Sequence, residues 1–150
     1  MQTYHTSKNR DEKLKSFYEC CRKAGLKITP QRIAVYKSLI TSSSHPTAEK
    51  VFHNVRKEMS NISLDTVNRT LLTLVEIGVA FIVEGSGQPR RFDGGMEAHQ
   101  HFRCLKCGKI IDFHYKPYDN IRVPVQLRQI KVIRKTVCLE GYCTDCNESI

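Results

Sequence analysis

Four cysteines in the C-terminal third of this 150-residue chain form two closely spaced pairs. Cys104 and Cys107 make one C-x-x-C motif, and Cys143 and Cys146 make a second after 35 intervening residues. Each motif places two thiolates on one side of a bend, and two such bends complete the tetrahedron that Zn²⁺ prefers. Four sulfur ligands leave no open coordination position, so we expect a structural zinc site that stabilises the fold. The alternative is a redox dithiol, but that motif usually occurs once, beside a βαβ unit.

Histidines and aspartates around the first cysteine pair form a second set of candidate ligands. His99 and His101 are two residues apart, so on a strand both imidazoles would lie on one face. Asp93, Asp112 and His45 offer further donor atoms. Taken alone, a histidine before a proline, as at His45, is more often a surface loop residue. A lone aspartate at a strand end is usually a solvated turn residue.

The remaining cysteines and the apolar pattern bear on location. Cys20, Cys21 and Cys138 have no partner at ligand spacing, so we interpret them as ordinary buried or half-buried thiols. The first ten residues lack the apolar stretch of a signal peptide, and no apolar run is long enough to cross a bilayer. We therefore expect a cytoplasmic protein with reduced cysteines and no membrane partner.

Positive charge is concentrated in the first part of the chain. The formal net charge is +9, and residues 1–90 carry 14 Lys/Arg against 8 Asp/Glu, a net of +6. A basic segment of this kind is typical of nucleic-acid binding, although a generally basic soluble protein would show it too.

Periodicity in residues 14–78 predicts four helices. Apolar residues at positions 14, 17, 18 and 21 follow helical spacing, and Gly25 can end that helix. Thr29, Thr47 and Ser63 are suitable N-caps for the next three helices, and Pro30 suits a first helical position. Gly78 can end the fourth.

A change to β-prone residues follows the helices. Residues 79–83 predict a strand, 85–89 a turn and 90–92 its partner strand, which together with the helices make a winged helix-turn-helix. Strands are also predicted at 101–103, 109–113 and 130–139, while 118–129 is ambiguous because Pro124 opposes a helix. We therefore predict an α+β (α/β) chain, with a winged-helix domain at 1–92, a hinge at 93–98 and a small C-terminal domain at 99–150.

Five motifs give the chain a resemblance to a known family. They are GLKITPQR at 25–32, HPTA at 45–48, SLDTV at 63–67, RFD at 91–93 and HxHxxCxxCGK at 99–109. In this order they resemble the ferric uptake regulator family, over nearly the whole chain. Within it, Asp at position 112 resembles the peroxide-stress branch, since iron-sensing members more often carry Glu there. Gln100, Arg134 and Lys135 stand where iron- or zinc-sensing relatives often have histidines of an additional site.

The resemblance implies a homodimeric repressor. Its winged-helix domain would bind DNA, and its C-terminal α/β domain would form the dimer. It implies one structural Zn²⁺ and one regulatory Fe²⁺ or Mn²⁺ per subunit. The implied regulatory ligands are His45, Asp93, His99, His101 and Asp112, a set of nitrogen and oxygen donors that suits either metal. In relatives, peroxide oxidises ligand histidines, and His45 and His99 are the matching positions. Loss of the ligand would release the hinge and end repression.

The helix that begins after Ser63 would enter the major groove of an AT-rich palindromic operator. The candidate base or backbone contacts are Ser63, Asp65, Thr66, Asn68 and Arg69. The family usually has Ala at position 65 and Tyr at 68, so a different operator preference is expected. Candidate phosphate or minor-groove contacts are Lys15, Arg22, Lys27 and Arg32, each of which could equally be a solvated charge.

Two alternatives remain open. The chain could be an iron- or zinc-responsive repressor of the same family. More remotely, the His/Asp residues could form a non-haem metalloenzyme site, but we find no positioned base or oxyanion donors beside them, and an enzyme would leave the basic first half unexplained.

Overall fold

Four helices precede a two-stranded ribbon in the computed structural model, which describes residues 7–83, 89–95 and 97–147. The helices are α1 Ser7–Lys23, α2 Pro30–Thr41, α3 Ala48–Arg56 and α4 Leu64–Glu76. The described residues divide into an N-terminal unit, 7–83 with 89–95, and a C-terminal unit, 97–147.

Side-chain caps fix the starts of three helices, as the sequence predicts. The Thr29 hydroxyl accepts a hydrogen bond from the Arg32 amide at 3.3 Å, and Thr47 and Ser63 accept equivalent bonds at 3.1 Å at the starts of α3 and α4. Gly25 and Gly78 follow α1 and α4 with φ of +64° and +82°, which glycine adopts without steric cost. The three predicted helix starts and the two predicted glycine ends are thereby confirmed, whereas Met59, expected on the third helix, lies beyond its end at Arg56.

The core of the N-terminal unit joins all four helices. Phe17 of α1 stacks on Tyr36 of α2 with ring centroids 4.6 Å apart, and the Tyr36 hydroxyl donates to the Lys13 carbonyl. Val67, Leu71 and Leu74 of α4 are fully buried beside them. This packing leaves the opposite face of α4 available to a partner.

A short antiparallel ribbon follows α4. Strands β1 Phe81–Ile82 and β2 Phe92–Asp93 pair with Phe81 opposite Asp93 and Ile82 opposite Phe92. The strand prediction for 90–92 is correct at Phe92 only, and β2 extends to Asp93, which the sequence placed in a hinge. The predicted turn at 85–89 lies, except for Pro89, outside the described residues.

The C-terminal unit is built on a three-stranded sheet. Its strands are β3 Gln100–Cys104, β4 Ile110–Phe113 and β5 Cys138–Gly141, in the order β4-β3-β5. β4 is antiparallel and β5 parallel to β3. Two one-turn helices, α5 Lys116–Asp119 and α6 Thr144–Asn147, complete the unit with a 3-10 turn at Val125–Leu127.

The segment between α5 and β5 differs from the prediction. The strand expected at 130–139 is wrong for residues 130–137, and pairing begins only at Cys138. The ambiguous stretch 118–129 holds the end of α5 and the 3-10 turn, and Pro124 stands just before that turn, where no helical hydrogen bond is lost. Several large apolar side chains here are exposed: Val123, Val125, Leu127, Ile130, Val132 and Ile133. Among the described residues, no helix has the length and apolarity required to span a membrane.

Candidate metal centres

The turn after β3 and the start of α6 bring the four cysteines together. Their sulfur atoms all lie within 4.8 Å of one another, and the Sγ atoms of Cys107 and Cys143 are 3.8 Å apart. A tetrahedral ion with Zn–S bonds of about 2.3 Å requires S–S separations of about 3.8 Å. Gly108 closes the first turn at φ +73°, and its amide donates to the Cys104 carbonyl. The cluster therefore fits Zn²⁺.

The protein environment differs between the sulfurs. The backbone amides of Cys107 and Cys143 hold the pKa of the Cys104 thiol at about 6, and the Cys143 amide lies 3.4 Å from its sulfur. Burial raises the pKa of Cys146 to about 12. Cys104 is thus prepared as a thiolate, whereas metal binding must displace a proton from Cys146.

The other three cysteines are not part of this cluster. Cys21 is buried in the N-terminal core, where burial raises its pKa, and Cys20 is half-buried beside it. Cys138 begins β5 and is half-buried. Their environments match the interpretation of ordinary thiols.

In the N-terminal unit, the loop between α2 and α3 presents His45 to Asp93. The His45 Nε2 atom lies 3.6 Å from Asp93 Oδ2. His45 is only 7% exposed, unlike the surface loop residue that a histidine before a proline more often is. The second Asp93 oxygen, Oδ1, accepts the Gly95 amide at 2.6 Å, which orients the carboxylate.

In the C-terminal unit, His99, His101 and Asp112 converge. His101 and Asp112 are opposite each other on β3 and β4, and the His101 Nε2 and Asp112 Oδ1 atoms are 3.4 Å apart. The His99 Nε2 atom is 3.9 Å from the same oxygen, although His99 precedes the strand. The His99 Nδ1 atom is 2.7 Å from the Glu97 carbonyl, so Nε2 is the nitrogen left for a metal.

Two supporting residues were missed by the sequence reasoning. Gln100, between the two histidines, is buried; its Oε1 accepts the Tyr115 amide and its Nε2 donates to Asp119. A hydrogen bond from His114 to the second Asp119 oxygen is the main cause that lowers the pKa of that carboxyl. Because successive residues of a strand face opposite sides of the sheet, the sequence could have indicated that Gln100 points away from the side of His101. Arg91, the other missed residue, donates to the His45 carbonyl.

The predicted DNA contacts on α4 occupy its first turns. Ser63, Asp65 and Arg69 are exposed, while Thr66 and Asn68 are half-buried. The Asp65 carboxylate and Arg69 guanidinium form an i,i+4 pair at 2.9 Å. The Ser63 hydroxyl is engaged as the cap and also lies 2.9 Å from the Thr66 hydroxyl. This face combines paired charges with polar groups.

The other predicted contacts differ in their surroundings. Lys15, Arg22 and Lys27 are exposed, and Arg32 is half-buried with its guanidinium donating to the Lys27 carbonyl. Lys15 and Arg22 share one face of α1 with two acidic side chains, Asp11 and Glu19. That face is therefore mixed in charge.

Comparison with known proteins identifies related chains over most of this length. The model of the ferric uptake regulator family matches residues 23–139. The peroxide-responsive repressor PerR of Staphylococcus epidermidis is 35% identical over 139 residues, 92% of this chain and 93% of that protein.

Solved structures agree with this match. The Helicobacter pylori ferric uptake regulator, described as having three functional metal binding sites, superposes with a TM-score of 0.73 at 29% identity, covering 98% of this chain and 97% of that chain. The Campylobacter jejuni peroxide stress regulator gives a TM-score of 0.62 at 29% identity, covering 89% and 98%.

The predicted α+β fold and the family resemblance are thus confirmed. Members of the family are metal-responsive transcriptional regulators rather than enzymes, and they bind DNA and act as dimers. The chain belongs to the ferric uptake regulator family.

Proposed function

We propose that this chain is a metal-dependent transcriptional repressor that senses hydrogen peroxide. His45 and Asp93 would bind a regulatory Fe²⁺ or Mn²⁺ together with His99, His101 and Asp112. The observation that supports this most is that each unit brings its own candidate ligands together. In the N-terminal unit, His45 lies 3.6 Å from Asp93. In the C-terminal unit, the Asp112 carboxylate lies 3.4 Å from His101 and 3.9 Å from His99.

The donor chemistry favours these metals. Three imidazole nitrogens and two carboxylate oxygens suit Fe²⁺ or Mn²⁺, whereas sulfur donors select zinc, Cu(I) or iron–sulfur clusters. If all five residues bound one ion, water or peroxide could still reach it as a further ligand. Zinc or copper would bind the same atoms more tightly in principle, so metal availability would decide occupancy.

Metal binding would control DNA binding by joining two parts of the chain. Asp93 and His99 are separated by five residues, and His45 belongs to the unit that carries α4. Ligands from both units on one ion would fix the angle between them, which in a dimer sets the spacing of the two α4 helices. Metal and operator are then reciprocally coupled ligands, typically by ~1–3 kcal/mol.

Peroxide would act on the ligand histidines. Fe²⁺ held by these residues would catalyse the reaction of peroxide with a nearby ligand side chain, so that the imidazole is oxidised as peroxide is reduced. One peroxide oxygen would add to a ring carbon of the His45 or His99 imidazole while the other leaves as water, and the oxidised ring is a poor ligand. With that ligand lost, the two units are no longer held at the DNA-binding angle. Mn²⁺ would give a DNA-binding form that is insensitive to peroxide.

The four-cysteine cluster would hold one structural Zn²⁺ per subunit, apart from the sensing site. The exposed apolar residues between α5 and β5, from Val123 to Ile133, would meet a second copy of the chain in the homodimer. Each α4 would enter the major groove of an AT-rich palindromic operator, with Ser63, Asp65, Thr66, Asn68 and Arg69 nearest the bases. Phosphate contacts would come from Lys15, Arg22, Lys27 and Arg32.

Replacing His45 tests the link between metal and DNA. His45→Ala should weaken metal-activated DNA binding by about 5–150-fold, the usual range of such coupling. His53→Ala removes an exposed histidine of α3 and serves as the matched control. Zinc content and dimerisation should stay unchanged in both variants. Metal-activated binding that is the same in His45→Ala as in the parent protein would refute the proposal.

A further inference from the structure

Arg91 is attached to the loop that presents His45. Its Nε atom donates to the His45 carbonyl and its Nη2 atom donates to the Ser44 carbonyl. A planar guanidinium can satisfy two consecutive carbonyls at once because its N–H groups point in fixed, forked directions. The loop is therefore held at two neighbouring peptide groups.

The conformation that Arg91 holds is an unfavourable one. His45 has φ +50° and is the one non-glycine residue with positive φ in the described part of the chain. Side chains crowd the backbone in this region, and a residue before a proline, here Pro46, is restricted further. A loop freed from its neighbours would leave this conformation.

The same short segment also positions the second ligand of this unit. The Phe92 amide donates to the Pro46 carbonyl at 3.0 Å, and the Arg91 carbonyl accepts the Val83 amide at 3.0 Å. The next residue, Asp93, faces the His45 ring. Residues 91–93 thus join the ribbon, the His45 loop and the Asp93 carboxylate.

We infer that Arg91 is a positioning residue for the regulatory metal, which it serves by holding His45 in its left-handed conformation. This inference rests on the proposed function, because it takes His45 as a ligand. Without Arg91 the loop relaxes, and the ion binds only the fraction of molecules in which the loop has returned. The apparent association constant for the metal is then the intrinsic constant multiplied by that fraction.

The test compares Mn²⁺ affinity among variants of the full-length, zinc-loaded protein. Arg91→Ala should bind Mn²⁺ about tenfold or more weakly, the scale set by the cost of a left-handed non-glycine residue. Arg91→Lys keeps the charge but lacks the fork, so it should also lose affinity and covers the case in which the alanine variant is unstable. Arg90→Ala removes an adjacent exposed arginine and should bind normally.

Two readouts separate positioning from a general role in folding. In metal-free protein, the ¹³Cα and ¹³Cβ chemical shifts of His45 should leave left-handed values in Arg91→Ala and Arg91→Lys but not in Arg90→Ala. In a His45→Ala background, Arg91→Ala should cost little further affinity, because two residues that act through one contact are not additive.

Three outcomes would overturn the inference. Normal Mn²⁺ affinity in both Arg91 variants, with His45→Ala impaired, would refute the inference and leave the proposed function standing. An Arg91 effect of equal size with and without His45 would show that Arg91 acts elsewhere. Normal affinity in His45→Ala would refute both the ligand role of His45 and the inference.

Discussion

Removing one cysteine of the cluster should unfold the C-terminal unit and spare the N-terminal unit. The reason lies in the size of the two cores. Among the described residues, the N-terminal core contains 15 buried residues, whereas the C-terminal cluster contains Cys104, Cys143 and Cys146 with Phe102 partly buried against them. In the described part of the C-terminal unit, the buried apolar side chains are therefore all candidate zinc ligands.

The magnitudes favour a large effect. Full burial of a phenylalanine side chain contributes about 1.5–3 kcal/mol, and ordering each residue costs about 1–2 kcal/mol, so Phe102 cannot offset the ordering of a three-stranded sheet. A structural zinc ion contributes roughly 10–16 kcal/mol of binding free energy at neutral pH. Cys146→Ser removes one of its four ligands, and the sheet should be lost with the metal.

Hydrogen exchange followed by mass spectrometry measures this directly. Peptides that cover β3, β4 and β5 should lose protection in Cys146→Ser, while those that cover α2 and α4 should keep it. Cys138→Ser, which changes a thiol outside the cluster, should retain both the zinc and the protection. Full zinc content and intact protection of β5 in Cys146→Ser would show that the reasoning is wrong.

Three further substitutions test other parts of the molecule. Ile133 is 79% exposed, so Ile133→Glu should weaken dimerisation at least about tenfold when measured by ultracentrifugation, whereas Lys131→Glu should not. An unchanged dimer in Ile133→Glu would show that this surface is not the dimer interface. Gly94→Ala would place a Cβ atom 2.9 Å from Ile40 Cγ2, and we expect a loss of about 1–3 kcal/mol in chemical denaturation; unchanged stability would contradict this packing. Asp65→Ala breaks the exposed ion pair with Arg69, which contributes only about 0.2–0.5 kcal/mol to stability, yet it should alter the sequences selected from random DNA. Identical selected sequences would show that Asp65 does not contact the DNA.

Features set by local chemistry could be predicted from the sequence. Thr29, Thr47 and Ser63 cap helices because each side chain reaches an amide three residues away, so the signal and the contact lie in one short segment. The cysteine cluster was predictable for a similar reason, since each C-x-x-C turn is local and only the meeting of two turns is not.

Features set by distant contacts could not be predicted. His45 is buried in a left-handed conformation held by Arg91, 46 residues later in the chain, and nothing near Pro46 in sequence indicates this. Residues 130–137 have the composition of a strand. That composition favours a strand only where a neighbouring strand offers a place to pair, because β-propensity reflects how side chains pack on a half-buried sheet. In the described chain both edges of β3 are already paired, by β4 and by residues from Cys138 onward, so this segment has no place beside it.

Peroxide-dependent release from promoter DNA would test the proposed sensing most directly. Fluorescence anisotropy of a labelled promoter fragment would follow the Fe²⁺ and Mn²⁺ forms before and after hydrogen peroxide, and mass spectrometry would follow the peptides that contain His45 and His99. We predict that the Fe²⁺ form dissociates as one of these peptides gains an oxygen atom, while the Mn²⁺ form stays bound. An Fe²⁺ form that stays bound, with both histidines unmodified, would contradict peroxide sensing and favour a plain metal-responsive repressor.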